Sequence, residues 1–442
     1  MKSYLFLSVL FLSTIFSSHA QFTAPNWARN ATIYEVNMRQ FTPEGTFVAF
    51  EKHLPRLKEM GVDILWIMPI NPIGNLNRKG SLGSYYAVKD YKAINPEFGT
   101  QSDFEHLVKS AHALGMKVIV DWVANHTSPD NVWVDQGHKD WYTLDSTWNL
   151  QPTIGTDWWD VADLNYDNQN MRLAMIEAME FWVKTADIDG YRCDVAGWVP
   201  ADFWKQARTE LIKIKPVFML AEAEGADIHD NFDMTYGWEF HHIMNDIAKG
   251  KKNAIDIQTY LNNEKKYPAN AYRMHFTSNH DENSWNGTEM ERMGDARFAL
   301  AVLAATIQGM PLVYNGQETS LDRRLLFFEK DSISWLKMDL VDFYTDLLQL
   351  HHHNEALWNG LNGGEVVWVS DVKEGSYCAF TREKNGDKVL CILNLSNADQ
   401  EIVLNGPSVP GKYDDVFTNK STRFKNGCKV KLAPWGYQVF EK

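Results

Sequence analysis

The sequence predicts an α/β fold: a (β/α)8 TIM barrel with a small subdomain inserted after strand 3, followed by a C-terminal antiparallel β-sandwich domain. Three observations carry this expectation. Eight short runs are nearly continuous in apolar residues, which is how parallel strands buried on both faces read. Several of these runs follow an amphipathic stretch and a glycine, the pattern of a helix stopped just before a strand. Beyond about Gly360 this grammar gives way to short strands separated by "KNGD", "NGP" and "KNGC", which are hairpin signals.

Taken in order, the chain begins with Lys2, an apolar stretch from Tyr4 to Phe16, and Ser18-His19-Ala20. This is the pattern of a secretory signal (residues 1–20) cut after Ala20. The apolar run is too short to span a bilayer, so no membrane anchor is expected, and the mature protein is expected in the periplasm or outside the cell. The first strand is "ATIYEVNMRQ". Phe47, Phe50, Leu54, Leu57 and Met60 then fall at helical spacing, with Pro55 as an expected kink and Gly61 as the stop before "VDILWIMP". Thr100 with Asp103 predicts a helix N-cap, Phe104, Leu107, Val108, Ala111 and Leu114 form the buried stripe, and "MKVIVDWVANH" follows Gly115.

From Asn125 to Asn170 the chain makes a Trp-rich excursion too long for an ordinary loop, hence an inserted subdomain at about residues 126–170. Met171 through Ala186 is a helix leading to "GYRCDVA", and Phe203 through Ile214 one leading to "VFMLAEAE". "FDMTYGWEF", "RMHFTSNHD" and "MPLVYNGQE" complete eight units, which close into a barrel over residues 21–360. An open doubly wound sheet lacks support, since no Gly-rich phosphate loop follows the first strand. Residues 361–442, from "EVVWVSD" to "CKVKLAPWGYQVF", form the sandwich.

A formal net charge of -14, with no run of five or more Lys and Arg, excludes a nucleic-acid or anionic-membrane footprint. The four cysteines match no zinc or redox spacing, and most are expected as buried free thiols.

Chemistry in such barrels sits where strands finish. Those ends are loaded: Asp121 with Asn125-His126, Arg192 with Asp194, Glu222, and Asn279-His280-Asp281. Residues i and i+2 of a strand share a face, so Arg192 and Asp194 point the same way, and the arginine offsets repulsion among converging carboxylates. Two carboxyl groups close together suit a retaining glycosidase, with one as nucleophile and one as proton donor.

The motifs "DWVANH", "GYRCDVA", "MLAEAE" and "FTSNHDEN", in this order, resemble those of the alpha-amylase family of glycoside hydrolases, and the likeness runs over nearly the whole mature chain. The resemblance implies Asp194 as nucleophile, Glu222 as general acid and base, and Asp281 as the carboxylate that holds sugar hydroxyls. It implies His126 and His280 as hydrogen-bond donors to the central sugar, Arg192 as partner of the nucleophile supported by Asp121, and Tyr86 as the aromatic platform, with Asp90 completing its local pattern. Glu224 and Tyr85 are the competing choices for acid and platform. Asn125 and Asp163 match the positions at which many members bind calcium. The Lys-His pair that many starch-degrading members carry just after the nucleophile is absent here, with Gly197 and Trp198 in its place.

The expected activity is hydrolysis of alpha-glucosidic, mainly alpha-1,4, bonds in starch-like glucans or maltooligosaccharides, without an organic cofactor. An alpha-glucan transglycosylase or an alpha-glucosidase of the same family is the near alternative. The alternative from another class is a non-catalytic carbohydrate-binding protein, which would have lost at least one of the three acids.

Overall fold

The computed structural model describes residues 22–442 of the 442-residue chain, so the expected export signal lies outside the described residues. The eight runs form eight strands: β1 Ile33–Val36, β2 Ile64–Ile67, β3 Lys117–Trp122, β4 Gly190–Cys193, β5 Phe218–Ala221, β6 Met234–Tyr236, β7 Tyr272–His275 and β8 Met310–Tyr314. Each is parallel to the next, and β8 returns to β1, where Ile33 lies opposite both Ile64 and Leu312. The barrel is therefore closed.

Every residue of β1, β2, β4 and β5 is buried, which explains why these runs do not alternate. Ile33, Ile64, Ile119, Phe218, Met274 and Leu312 pack inside the barrel. Tyr34, Leu65, Val118, Tyr191 and Met219 face outward into the layer of helices. Gly190 opens β4 because a Cβ there would meet the carbonyl oxygen of Phe218 on β5.

The predicted helix from Phe47 to Met60 is two pieces, Phe47–Glu51 and α1 Leu54–Met60. Pro55 does not kink one helix. It sits in the first turn of α1, where its missing N–H leaves no bond unmade. The capping box of Thr100 and Asp103 starts α2 Gln101–Ala113 as expected. α3 Gln169–Thr185 and α4 Ala201–Leu211 precede β4 and β5. The excursion after β3 is anchored by a two-residue ribbon in which His126–Thr127 pairs with Ala162–Asp163.

Past α5 Trp238–Ala248, α6 Ala254–Asn263, α7 Arg297–Thr306 and α8 Val341–His353 comes the C-terminal unit. It stacks a six-stranded antiparallel sheet on a two-stranded one, and both contribute to a core holding Leu390, Ile392, Ile402, Leu404 and Leu432. Its other face shares a second core with α5 to α8, in which Phe380, Val389 and Leu393 meet Phe240, Ile257 and Leu303. Arg382 reaches across this seam, fully buried, and donates to the carbonyls of Thr306, Ile307 and Gly364. It thereby caps the C-terminal end of α7. All four cysteines are free thiols, three of them buried.

Candidate active site

Backbone pairing continues past the strand ends and delivers the acids. The amide of Asp194 donates to Trp122 O and that of Glu222 to Cys193 O, so the two carboxylates leave adjacent ladders at one rim. Arg192 stands between them, fully buried, with Asp121 directly opposite it on β3. Its Nη1 donates to Asp121 Oδ1 (2.9 Å) and to Asp194 Oδ1 (3.0 Å), and its Nε to the hydroxyl of Tyr236 (3.1 Å). Its Nη2 lies 2.9 Å from Glu222 Oε2 with the N–H poorly aimed at that oxygen, which makes an ion pair without a directed hydrogen bond. The rings of Trp66, Tyr86 and Tyr236 surround the guanidinium.

Three carboxylates thus share one cation. Burial pushes the Asp194 carboxyl up, against the opposing pull of Arg192, and Glu222 and Asp121 push it further. Burial also raises Glu222, again opposed by Arg192 and reinforced by Asp281. Arg192 donates directed bonds to Asp121 and Asp194, and a backbone N–H serves Glu222, so the acids titrate as one coupled cluster.

Between them Val195 adopts a left-handed backbone (φ 37°), costly for a β-branched residue, on the order of 1–3 kcal/mol. The turn aims its N–H at Glu222 Oε2 (2.8 Å). Strain is thus stored beside both acids.

Asp281 follows β7 and is about one-third exposed at 35%, with Oδ2 3.3 Å from His280 Nε2. That same nitrogen is 2.8 Å from the Tyr86 hydroxyl, and the Tyr86 ring stacks on His280 at 5.5 Å. Tyr85, by contrast, is buried under the guanidinium of Arg39 and does not enter the site. Glu224 is likewise elsewhere, engaged with Arg273 at 2.6 Å. His126 is buried and held neutral, its pKa pushed down to about 3 by burial. Its ring packs against Trp158, which stacks on Trp198 at 5.5 Å, and Trp198 is 55% exposed. Asp194, Glu222, Asp281, Arg192, His280 and Tyr86 are therefore one cluster, with His126 leading from the third strand to the tryptophan pair.

Residues 28–335 match the family described as alpha amylase, catalytic domain. The chain belongs to the alpha-amylase family of glycoside hydrolases. It is 27% identical to alpha-amylase MalA of Haloarcula japonica, over 85% of this chain and 57% of that protein, so it spans less than two thirds of that relative. It is also 27% identical to neopullulanase 2 of Thermoactinomyces vulgaris, over 94% of this chain and 78% of that protein. The crystal structure of an alpha-amylase from Lactobacillus plantarum superposes with TM-score 0.84 at 30% identity, covering 94% of this chain and 99% of that one.

The calcium expected in this alpha-amylase family chain does not fit its donors. Calcium takes about six to eight oxygens. Here Asp163 accepts the hydroxyls of Thr143 and Thr153 on its two oxygens, at 2.8 and 3.0 Å. Asn125 turns its NH2, not its oxygen, to Thr153 Oγ1 (2.8 Å). Among the described residues no group of three or more His, Cys, Asp and Glu side chains could hold a metal ion. The Thr153 hydroxyl joins the two predicted ligands, Asn125 and Asp163, directly.

Sequence reasoning missed three groups: Tyr236 and Trp66, which flank Arg192, and Glu35, fully buried on β1 with Oε1 2.5 Å from His280 Nδ1. The signal for Glu35 was present, since it is the lone charge within the apolar strand "IYEV".

Proposed function

We propose that this chain is an exported retaining glycoside hydrolase that cleaves alpha-glucosidic, mainly alpha-1,4, bonds in starch-like glucans or maltooligosaccharides. One observation carries the reading: Asp194 and Glu222 contact the same guanidinium, at 3.0 and 2.9 Å. Two carboxyls that contact one planar cation are close neighbours, which favours double displacement over the wider spacing that admits water between the acids. The names of the relatives, an alpha-amylase and a neopullulanase among them, support alpha-glucans as the substrate class.

In this mechanism Asp194, ionised beside Arg192, attacks the anomeric carbon while Glu222 gives its proton to the leaving oxygen. The bond from Asp194 to the sugar forms as the glycosidic bond breaks. Glu222, now ionised, then takes a proton from water, whose oxygen displaces Asp194. Asp281 and His280 hold sugar hydroxyls, and Tyr86 supplies a flat face beneath the ring.

Incubation of the purified protein with maltoheptaose and with pullulan, with products resolved over time, tests the reading. Shorter maltooligosaccharides are expected, at rates unaltered by EDTA, because a hydroxyl bridge stands where the ion was expected. Unchanged sugars in both incubations would return the carbohydrate-binding reading.

A second reading, transfer to a sugar acceptor, is favoured by the exposed Trp198. A Cβ on Gly197 would lie 3.5 Å from that of Ala223, the residue after Glu222, so the loop bearing Trp198 flanks the proton donor, on the leaving-sugar side. Trp198→Ala is expected to raise KM for maltotriose about 10-fold and to lower the share of lengthened products. Unaltered KM and product ratio would remove the tryptophan from the sugar path.

A further inference from the structure

We propose that Glu35 is a positioning residue that clamps His280 Nδ1–H and keeps the ring doubly protonated, so that Nε2–H is always presented to the sugar. The inference rests on the proposed function for the sugar, while the clamp itself stands on hydrogen-bond geometry.

Glu35 Oε1 lies 2.5 Å from His280 Nδ1, and Oε2 has no hydrogen-bond partner among the described residues. The nearby cation Arg192 is already committed to Asp121, Asp194 and Glu222. A fully buried carboxylate with one partner is strongly disfavoured unless that partner carries the balancing charge.

The far side of the ring gives the same answer. The Tyr86 hydroxyl donates to Asp121 Oδ2 (3.1 Å), which leaves its oxygen to accept from His280 Nε2. Asp281 Oδ2, the other neighbour of Nε2, can only accept when ionised. Both ring nitrogens therefore face acceptors, and only an imidazolium donates from both.

The groups around His280 are Glu35 on β1, Trp66 on β2, Tyr86 after β2, Asp121 on β3, Arg192 on β4, Glu222 after β5, Asp281 beside it and Phe327 after β8. Charges there are the carboxylates of Glu35, Asp121 and Asp281, with Glu222 as the exchangeable acid, against one guanidinium. Burial pulls the ring down, but Asp281 and Glu35 outweigh it and hold His280 up at about 9. The ring is thus cationic below that pH, and removal of Glu35 brings its titration down toward neutrality.

The test is Glu35→Gln, which keeps shape but not charge, together with nitrogen-15 histidine spectra of the full chain. In the spectra of the unmutated protein, His280, assigned by its loss in His280→Gln, is expected to show the imidazolium pattern at about pH 7.5. With Glu35→Gln, the ratio of kcat/KM at about pH 8 to that at about pH 5.5 is expected to fall at least 10-fold relative to the parent, mainly through KM. A neutral-ring spectrum in the parent overturns the proposal whether or not the variant folds. So does a pH profile of a folded Glu35→Gln that superimposes on the parent's. If the parent is inert toward maltoheptaose, the functional reading fails while the spectrum still decides the clamp.

Discussion

Asp194→Asn is expected to abolish turnover of maltooligosaccharides, by about 10⁴-fold or more in kcat, while leaving the protein folded. The amide cannot form the glycosyl ester, and no other carboxylate replaces it: Asp121 is spent on Arg192, Trp66 and Tyr86, and Glu222 is needed as acid. The fold should gain rather than lose. Burial and the charges of Glu222 and Asp121 together outweigh the pull of Arg192 on ionised Asp194, so a neutral side chain of the same shape relieves repulsion in the cluster. Thermal unfolding with a midpoint equal to or above the parent's, alongside lost activity, is the expected pair of results. Substantial remaining activity would assign the nucleophile elsewhere.

Arg192→Met is expected to be damaging in both respects. It leaves Asp121 and Asp194 buried, and Glu222 largely so, without their shared cation, a loss of about 3–5 kcal/mol for breaking a buried ion pair at neutral pH. The pH dependence has a definite sign. Burial already raises all three carboxyls, and Arg192 is what opposes it. Without the arginine they rise further, so the folded state binds more protons than the unfolded state above the ordinary carboxylate range. Stability of the variant should therefore recover as pH falls toward the raised values, whereas an unfolding midpoint that tracks the parent's at every pH would mean that the arginine is not the cluster's counter-ion.

The barrel was legible because its strands are buried on both faces and so appear as nearly unbroken apolar runs, several of them announced by a helix and a glycine. The same rule made the exceptions visible, and Arg192 and Asp194 could be placed on one face from their spacing alone. What distance along the chain concealed was convergence between remote strands. Glu35 and His280 lie 245 positions apart and meet only because β8 closes on β1 and brings β1 near β7. Asn125 and Asp163 were correctly sensed as neighbours, since the ribbon joins His126 to Asp163. The threonine between them depends on the path of an irregular loop, for which periodicity has no signal. Pro55 was ambiguous for a simpler reason, because proline suits a first turn as well as it breaks a later one.

The oily seam beneath Arg382 has a wider consequence. Since α5 to α8 lean on strands from the last eighty or so residues, a shortened version ending near Gly360 would bare a greasy flank on the very layer that braces β6 to β8. The tail is thus a buttress rather than a passenger. Genetic shuffling can vary the rim loops of this scaffold, but the two halves must be inherited together.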